Sequence, residues 1–150
     1  MSEGLVKDSM TSPVVSVSSD TNLSDARQLM TDNRVRRLPV VDNEKLVGII
    51  SFTDVLEAKL TGESSLNIWD LSQKVLSLEV KDVMTANVLS VDQSATIADA
   101  ARIMLEQKVS GLPVTDNGKL VGMITESDLF RLIALEGRYL SLHHQRFLHA

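Results

Sequence analysis

The chain alternates short β-rich runs with stretches of helical periodicity. In the first half, aliphatic and β-branched residues at 14–17, 38–41 and 46–51 predict three strands. Between the first two strands, apolar residues recur at i, i+3, i+6 and i+7, which lines one helical face. These residues are Leu23, Ala26, Leu29 and Met30. A turn at 42–45 joins the last two strands into a predicted hairpin, and helical periodicity resumes after Ser51.

The second half repeats the first. Residues 6–56 align with residues 80–130 at a constant offset of 74 without a gap, and 23 of the 51 pairs are identical. Average composition would give about 3 identities. The apolar helical face recurs as Ile97, Ala100, Ile103 and Met104. Each copy therefore predicts the order β-α-β-β-α, an α/β fold of the α+β type.

A unit of about fifty residues buries too little of its surface to be stable alone. The two copies are therefore expected to pack about a pseudo-twofold axis, with paired clefts between them. The second copy is expected to continue into an amphipathic tail helix with apolar surface left for a partner. The predicted parts are a first repeat at 6–60, a connector at 61–79, a second repeat at 80–133 and a tail at 134–150.

Composition excludes several classes of function. The chain has no cysteine, which rules out disulfides and thiol catalysis, and its net charge of −5 disfavours a general polyanion binder. The longest apolar runs have five residues, far below the roughly twenty that span a membrane. All three histidines lie in the last eight residues, without metal-ligand spacing. A cytoplasmic protein without a metal site or catalytic centre is expected.

The candidate chemistry lies where the last strand of each copy enters its last helix. The segments 48–54 and 122–128 read GIISFTD and GMITESD, with hydroxyls and a carboxylate around a helix start. A helix N-terminus supplies free N–H groups, and a carboxylate can accept both hydrogens of a ribose diol. The alternative is structural, because Ser, Thr and Asp are also good capping residues. Thr53 and Ser127 are the predicted caps.

These motifs resemble the paired CBS domains, or Bateman module. The resemblance covers about 125 residues: VKDSMT and VKDVMT open the copies, RRLPVVD and SGLPVTD lie at the third strand position, and GIISFTD and GMITESD close them. It implies a regulatory module rather than an enzyme. It also implies that an adenosyl nucleotide (AMP, ADP, ATP or S-adenosylmethionine) binds in the clefts between the copies, and Mg²⁺ could enter with it.

The resemblance also implies a set of binding residues. Asp54 and Asp128 would accept the ribose hydroxyls, and four hydroxyl residues would contact ribose or phosphate: Ser51, Thr53, Thr125 and Ser127. The base pocket would be lined by Thr11, Thr85, Leu38, Pro39, Leu112 and Pro113, although the Leu-Pro pairs could equally belong to the core.

The copies differ at the predicted phosphate position. Arg36 and Arg37 precede Leu-Pro in the first copy, whereas Ser110 and Gly111 precede it in the second. A guanidinium suits phosphate oxygens, so the two clefts should not be equivalent, unless Arg131 or an arginine of the first copy compensates. Ion pairs with nearby carboxylates are the structural alternative for these arginines.

Two other functions are compatible with the sequence. One is a purely structural dimerisation module with vacant clefts, and the other is a nucleic-acid binder through the cluster Arg34, Arg36 and Arg37. For the sensor, the regulated target would be a separate protein or a second copy, and a homodimer formed through the helices is expected.

Overall fold

The computed structural model describes residues 4–61 and 77–135. The helices are α1 (Val6–Ser9), α2 (Leu23–Asn33), α3 (Phe52–Thr61), α4 (Ile97–Gln107) and α5 (126–135), with a 3₁₀ turn at Val80–Asp82. The strands are β1 (Arg37–Asp42), β2 (Lys45–Ser51), β3 (Thr85–Ala86), β4 (Val91–Asp92), β5 (Gly111–Asp116) and β6 (Lys119–Thr125). The mixed α+β class is confirmed. Most of the predicted connector and tail lies outside the described residues.

The chain packs into two compact units. Among the described residues, the Asp54 unit comprises 15–61, 77–89 and Gly118–Leu120, and the Asp128 unit comprises 4–14, Ser90–Asn117 and 121–135. Each unit has its own apolar core beneath its strands and helices.

Each unit is built on a β-hairpin with one further strand beside it. In the Asp54 unit, β1 runs antiparallel to β2 in a register that places Leu38 opposite Ile50, and β3 adds to the other edge of β2. In the Asp128 unit, β5 lies beside β6 and pairs in parallel with β4, with Val91 opposite Val114.

The first predicted strand of each copy is shorter than expected. Only Val17 of 14–17 makes a β-bridge, to Val40, and the run 88–91 contributes Val91 to the two-residue β4. Val17 and Val91 are the buried residues of these runs, and Val15 is partly buried against the core of the Asp54 unit.

The opening segment of each repeat packs in the unit that contains most of the other repeat, and we call this arrangement the exchange. Thr11, which opens the first repeat, exchanges backbone hydrogen bonds of 2.8 and 3.0 Å with Met123 of the second. The equivalent residue, Thr85, pairs with Ile49 of the first repeat. The turn of helix before each segment follows the same rule, since the N–H of Val6 donates to the Ala95 carbonyl in the Asp128 unit. Each unit therefore contains residues of both repeats.

Two strand glycines make room for the exchanged segments. A Cβ atom at Gly48 would lie 2.8 Å from the carbonyl oxygen of Thr85 and 2.7 Å from the sulfur of Met84. At Gly122 it would lie 3.1 Å from the carbonyl oxygen of Thr11 and would overlap the side chain of Met10. A larger residue at either position would therefore force the exchanged backbone or its methionine side chain to shift.

The caps of the first helices are local. Asn22 caps α2 by accepting the Ser24 N–H at 2.8 Å. In the second repeat, Thr96 caps α4 in a reciprocal pair with Asp99. The backbone N–H and then the hydroxyl of Thr96, which bond to the carboxylate, lower the pKa of Asp99.

Candidate functional site

The first candidate site is the junction between β2 and α3. Asp54 Oδ2 accepts the N–H of Ser51 at 2.8 Å, and Ser51 Oγ accepts the N–H of Asp54 at 3.0 Å. This reciprocal arrangement is a capping box with aspartate in the last position. The predicted cap at Thr53 is therefore wrong, because the helix begins at Phe52 and Ser51 caps it. Thr53 is exposed at the first turn.

The equivalent junction between β6 and α5 has the same cap. Asp128 Oδ2 accepts the N–H of Thr125 at 2.8 Å and its hydroxyl at 3.1 Å, while Thr125 Oγ1 accepts the Asp128 N–H at 3.4 Å. The predicted cap at Ser127 is wrong for the same reason, and Ser127 is exposed. In both repeats the structural interpretation of the aspartate is thus correct, and a role in ligand binding has to be compatible with it.

A cavity of about 350 Å³ opens beside Asp54. One wall is the face of α3, and the other is the segment that leads into the second repeat. The lining residues are Asp54, Glu57, Ala58, Leu78, Asp82 and Val83. Three of the six are carboxylates, so the cavity offers acceptors for hydroxyl and amino hydrogens. It lies within the Asp54 unit and is lined by residues of both repeats.

Sequence reasoning missed Glu57 and Asp82. The signal for Glu57 was its position one helical turn after Asp54. No local signal could bring Asp82 to the site, because its proximity follows from the exchange of segments.

Arg36 lies at the start of α3. Its guanidinium carbon is 5.4 Å from the centroid of the Phe52 ring, and its carbonyl accepts the Phe52 N–H at 2.7 Å. Arg37 follows as the first residue of β1 and is half-buried. In the second repeat the same backbone bond joins Glu126 to Ser110 at 2.9 Å, without a guanidinium. The predicted asymmetry in charge is therefore located at the helix start.

The remaining predicted residues fall into two groups. Both Leu-Pro pairs are buried, and Leu38 and Leu112 belong to the two cores, as the structural alternative stated. Thr11 and Thr85 are exposed. Because of the exchange, each lies in the unit that contains most of the other repeat. Thr85 lies in the Asp54 unit and Thr11 in the Asp128 unit.

Within residues 4–61 and 77–135, no three side chains of the His, Cys, Asp and Glu types are grouped to hold a metal ion. The histidines 143, 144 and 149 lie outside this part. Among the described helices, none is both long and apolar enough to cross a bilayer.

The profile of the CBS domain matches the chain twice, at residues 6–61 and 80–135. The chain belongs to the CBS domain family. A CBS domain-containing protein of Dictyostelium discoideum is 35% identical over 131 residues, which cover 86% of this chain and 90% of that protein.

Solved CBS domain pairs have the same fold. The structure of CBSX2, a protein of Arabidopsis thaliana, in complex with AMP superposes with a TM-score of 0.75 at 34% identity, covering 90% of this chain and 98% of the other. The CBS domain pair of protein MJ0100 in complex with 5′-methylthioadenosine and S-adenosyl-L-methionine gives a TM-score of 0.74 at 28% identity, with 90% and 99% covered. The predicted membership of the CBS family is confirmed.

Proposed function

We propose that this CBS-domain protein is a regulatory module that binds an adenosyl nucleotide at the Asp54 and Asp128 junctions. The observation that carries the proposal is the state of Asp54. One carboxylate oxygen caps α3, and the other has no hydrogen-bond partner among the described residues, in a half-buried side chain that lines the cavity of about 350 Å³. Ligand pockets begin at about 300 Å³.

The cap prepares the carboxylate for ribose. Because Oδ2 is held by the Ser51 N–H, the side chain is fixed in one orientation and Oδ1 is left to accept hydroxyl hydrogens. An acidic side chain holds ribose hydroxyls in the same way in dinucleotide-binding folds. Capping and ribose binding therefore use different oxygens of one residue, and Ser51 supports the site through the backbone.

Phosphate binding would involve the arginines at the first junction. Arg36 and Arg37 lie next to the N-terminus of α3, where helix N–H groups favour an anion. Charge-assisted hydrogen bonds of this kind contribute roughly 1.5–3 kcal/mol each. Mg²⁺ would enter only with a nucleotide, as its phosphate counterion.

Two related proteins support an adenosyl ligand. CBSX2 was solved with AMP, and the pair of MJ0100 with 5′-methylthioadenosine and S-adenosyl-L-methionine. The shared part of these ligands is adenosine with its ribose, which is the group that the free oxygen of Asp54 suits. The phosphate or sulfonium group would distinguish among them.

Signalling would use the exchanged segments. A ligand in the Asp54 cavity contacts α3 of the first repeat and Asp82 of the second, so binding favours conformations in which both are held together. The signal would pass to a separate protein or to a second copy of the chain. A homodimer is proposed through α5, where Phe130 and Ile133 are 64% and 63% exposed.

Calorimetry with AMP, ADP, ATP and S-adenosylmethionine tests the proposal. The decisive variant is Asp54→Asn, in which the amide oxygen can still accept the Ser51 N–H while the amide nitrogen replaces the free acceptor. We expect affinity to fall at least tenfold, because a hydrogen bond to a charged group is lost, with little change in the melting temperature of the empty protein. Asp99→Asn is the matched control, since Asp99 occupies the same capping position on α4.

Three results would contradict the proposal. Absence of heat with all four ligands would support the structural dimerisation module. Equal affinity in wild type and Asp54→Asn would remove Asp54 from the site. Salt-sensitive binding to RNA or DNA, without any effect of mononucleotides, would support the nucleic-acid binder.

A further inference from the structure

The residue one helical turn after the candidate ribose acceptor has opposite charge in the two repeats. Arg131 follows Asp128 by three positions, and Glu57 follows Asp54 by three. Side chains at this spacing lie next to each other on a helix. The two aspartates, which have the same cap, therefore have neighbours of opposite sign.

The carboxylate of Asp128 is engaged by its neighbour Arg131. Arg131 Nη1 donates to Asp128 Oδ1 at 3.2 Å, while Oδ2 accepts from Thr125. Both carboxylate oxygens are thus engaged, and the side chain of Asp128 is only 5% exposed, whereas that of Arg131 is 67% exposed. A ribose can reach this carboxylate only after the guanidinium has moved.

Asp54 is open by comparison. Glu57 lines the same cavity, but a carboxylate cannot donate a hydrogen bond to the free oxygen of Asp54. Like charges on neighbouring turns also repel each other, so Glu57 does not cover Asp54. Ribose can therefore bind at Asp54 without breaking an ion pair.

We propose that Arg131 is a latch on Asp128 that the phosphate of a ligand releases, so that the Asp128 site selects nucleoside phosphates over nucleosides. The inference rests on the function proposed above. A phosphate oxygen gives the guanidinium a new anionic partner in place of the Asp128 carboxylate. Asp128 then becomes free for the ribose. A nucleoside without phosphate must break the pair without replacing it.

The latch is tested in a chain that has only the second site. Asp54→Asn isolates the Asp128 site, and AMP and adenosine are titrated by calorimetry with and without Arg131→Gln. We expect the second substitution to raise adenosine affinity by about fivefold, the factor that a partly exposed ion pair supplies, and to lower AMP affinity. The ratio of AMP to adenosine affinity therefore falls, which a merely structural role of Arg131 would not cause.

A matched control exists on α4. Arg102 Nη1 lies 3.3 Å from Asp99 Oδ1 at the same i, i+3 spacing, and Asp99 has the same capping role as Asp128. Arg102→Gln should leave both affinities unchanged. A change as large as that of Arg131→Gln would assign the effect to net charge and overturn the latch.

The reciprocal substitution tests the inference at the other site. Glu57→Arg, in an Asp128→Asn chain, should weaken adenosine binding at Asp54 by about fivefold while AMP affinity is maintained or increased. This arm decides the question if Arg131→Gln impairs folding. An unchanged affinity ratio in both arms overturns the latch alone, since nucleotide binding by the wild type still supports the proposed function. A wild type that binds neither AMP nor adenosine overturns both.

Discussion

The two strand-to-helix junctions have the same framework but differ in what a ligand would meet. Both have a glycine against the exchanged segment, a hydroxyl cap and an aspartate that accepts the cap N–H. They differ in the charge beside that framework. Arg36 is hydrogen-bonded to the start of α3 and Glu57 lies one turn after Asp54, whereas Ser110 is hydrogen-bonded to the start of α5 and Arg131 lies one turn after Asp128. The two copies therefore share the glycine, the cap and the aspartate that the backbone arrangement requires. They differ in the charged residues that would select a ligand.

The exchange of opening segments links each junction to the other repeat. Each junction is completed by residues that the sequence assigns to the other copy, such as Thr85 beside β2. A substitution in the opening of one repeat should therefore act on the site of the other.

The largest expected effect comes from filling the space at the strand glycines. Gly48→Ala places a methyl group 2.8 Å from the backbone oxygen of Thr85, and Gly122→Ala places one 3.1 Å from that of Thr11. Overpacking of this kind costs about 1–3 kcal/mol, and the shorter backbone contact predicts the greater loss for Gly48. Urea unfolding measures both.

Gly4→Ala is the control for these two variants. A Cβ atom there would lie 3.6 Å from Ile97, which is an ordinary contact, so stability should change little. If Gly48→Ala were as stable as Gly4→Ala, the exchanged segment would not be packed on β2 as described.

The next prediction concerns which site each opening threonine serves. Thr85→Ala should weaken AMP binding by about threefold to tenfold in an Asp128→Asn chain, which keeps only the Asp54 site. The same substitution should have no effect in an Asp54→Asn chain, because Thr85 lies in the Asp54 unit. Thr11→Ala should give the reverse result. Effects that followed the sequence repeats instead of the units would contradict the exchange.

The order of helices and strands could be predicted because it depends on local pattern. The β-rich runs at 38–41 and 46–51 with the turn between them predict the hairpin, and the apolar period after Leu23 predicts α2. The helix start at Phe52 was within reach as well, since Ser51 and Asp54 have the spacing of a capping box. A cap at Thr53 is incompatible with that spacing.

The exchange could not be predicted from local pattern. The two openings, VKDSMT and VKDVMT, are nearly identical, so either could pack on either hairpin by composition alone. Only a glycine in the middle of each predicted strand hinted that another backbone approaches there. The cavity beside Asp54 was missed for the same reason, because Asp82 reaches it only through the exchange.

The smallest expected effect concerns the hairpin turns, where the copies differ by one residue. Glu44 has a φ of 69°, and the equivalent Gly118 has a φ of 82°. The left-handed region disfavours residues with a Cβ atom by about 1–2 kcal/mol, so Glu44→Gly should stabilise the protein. The gain is reduced to about 0.5–1 kcal/mol by the loss of the exposed ion pair between Glu44 and Lys119, which is 3.3 Å long. Gly118→Glu should be destabilising. Equal unfolding free energies for the two variants in urea would show that a Cβ atom at this turn position has no cost.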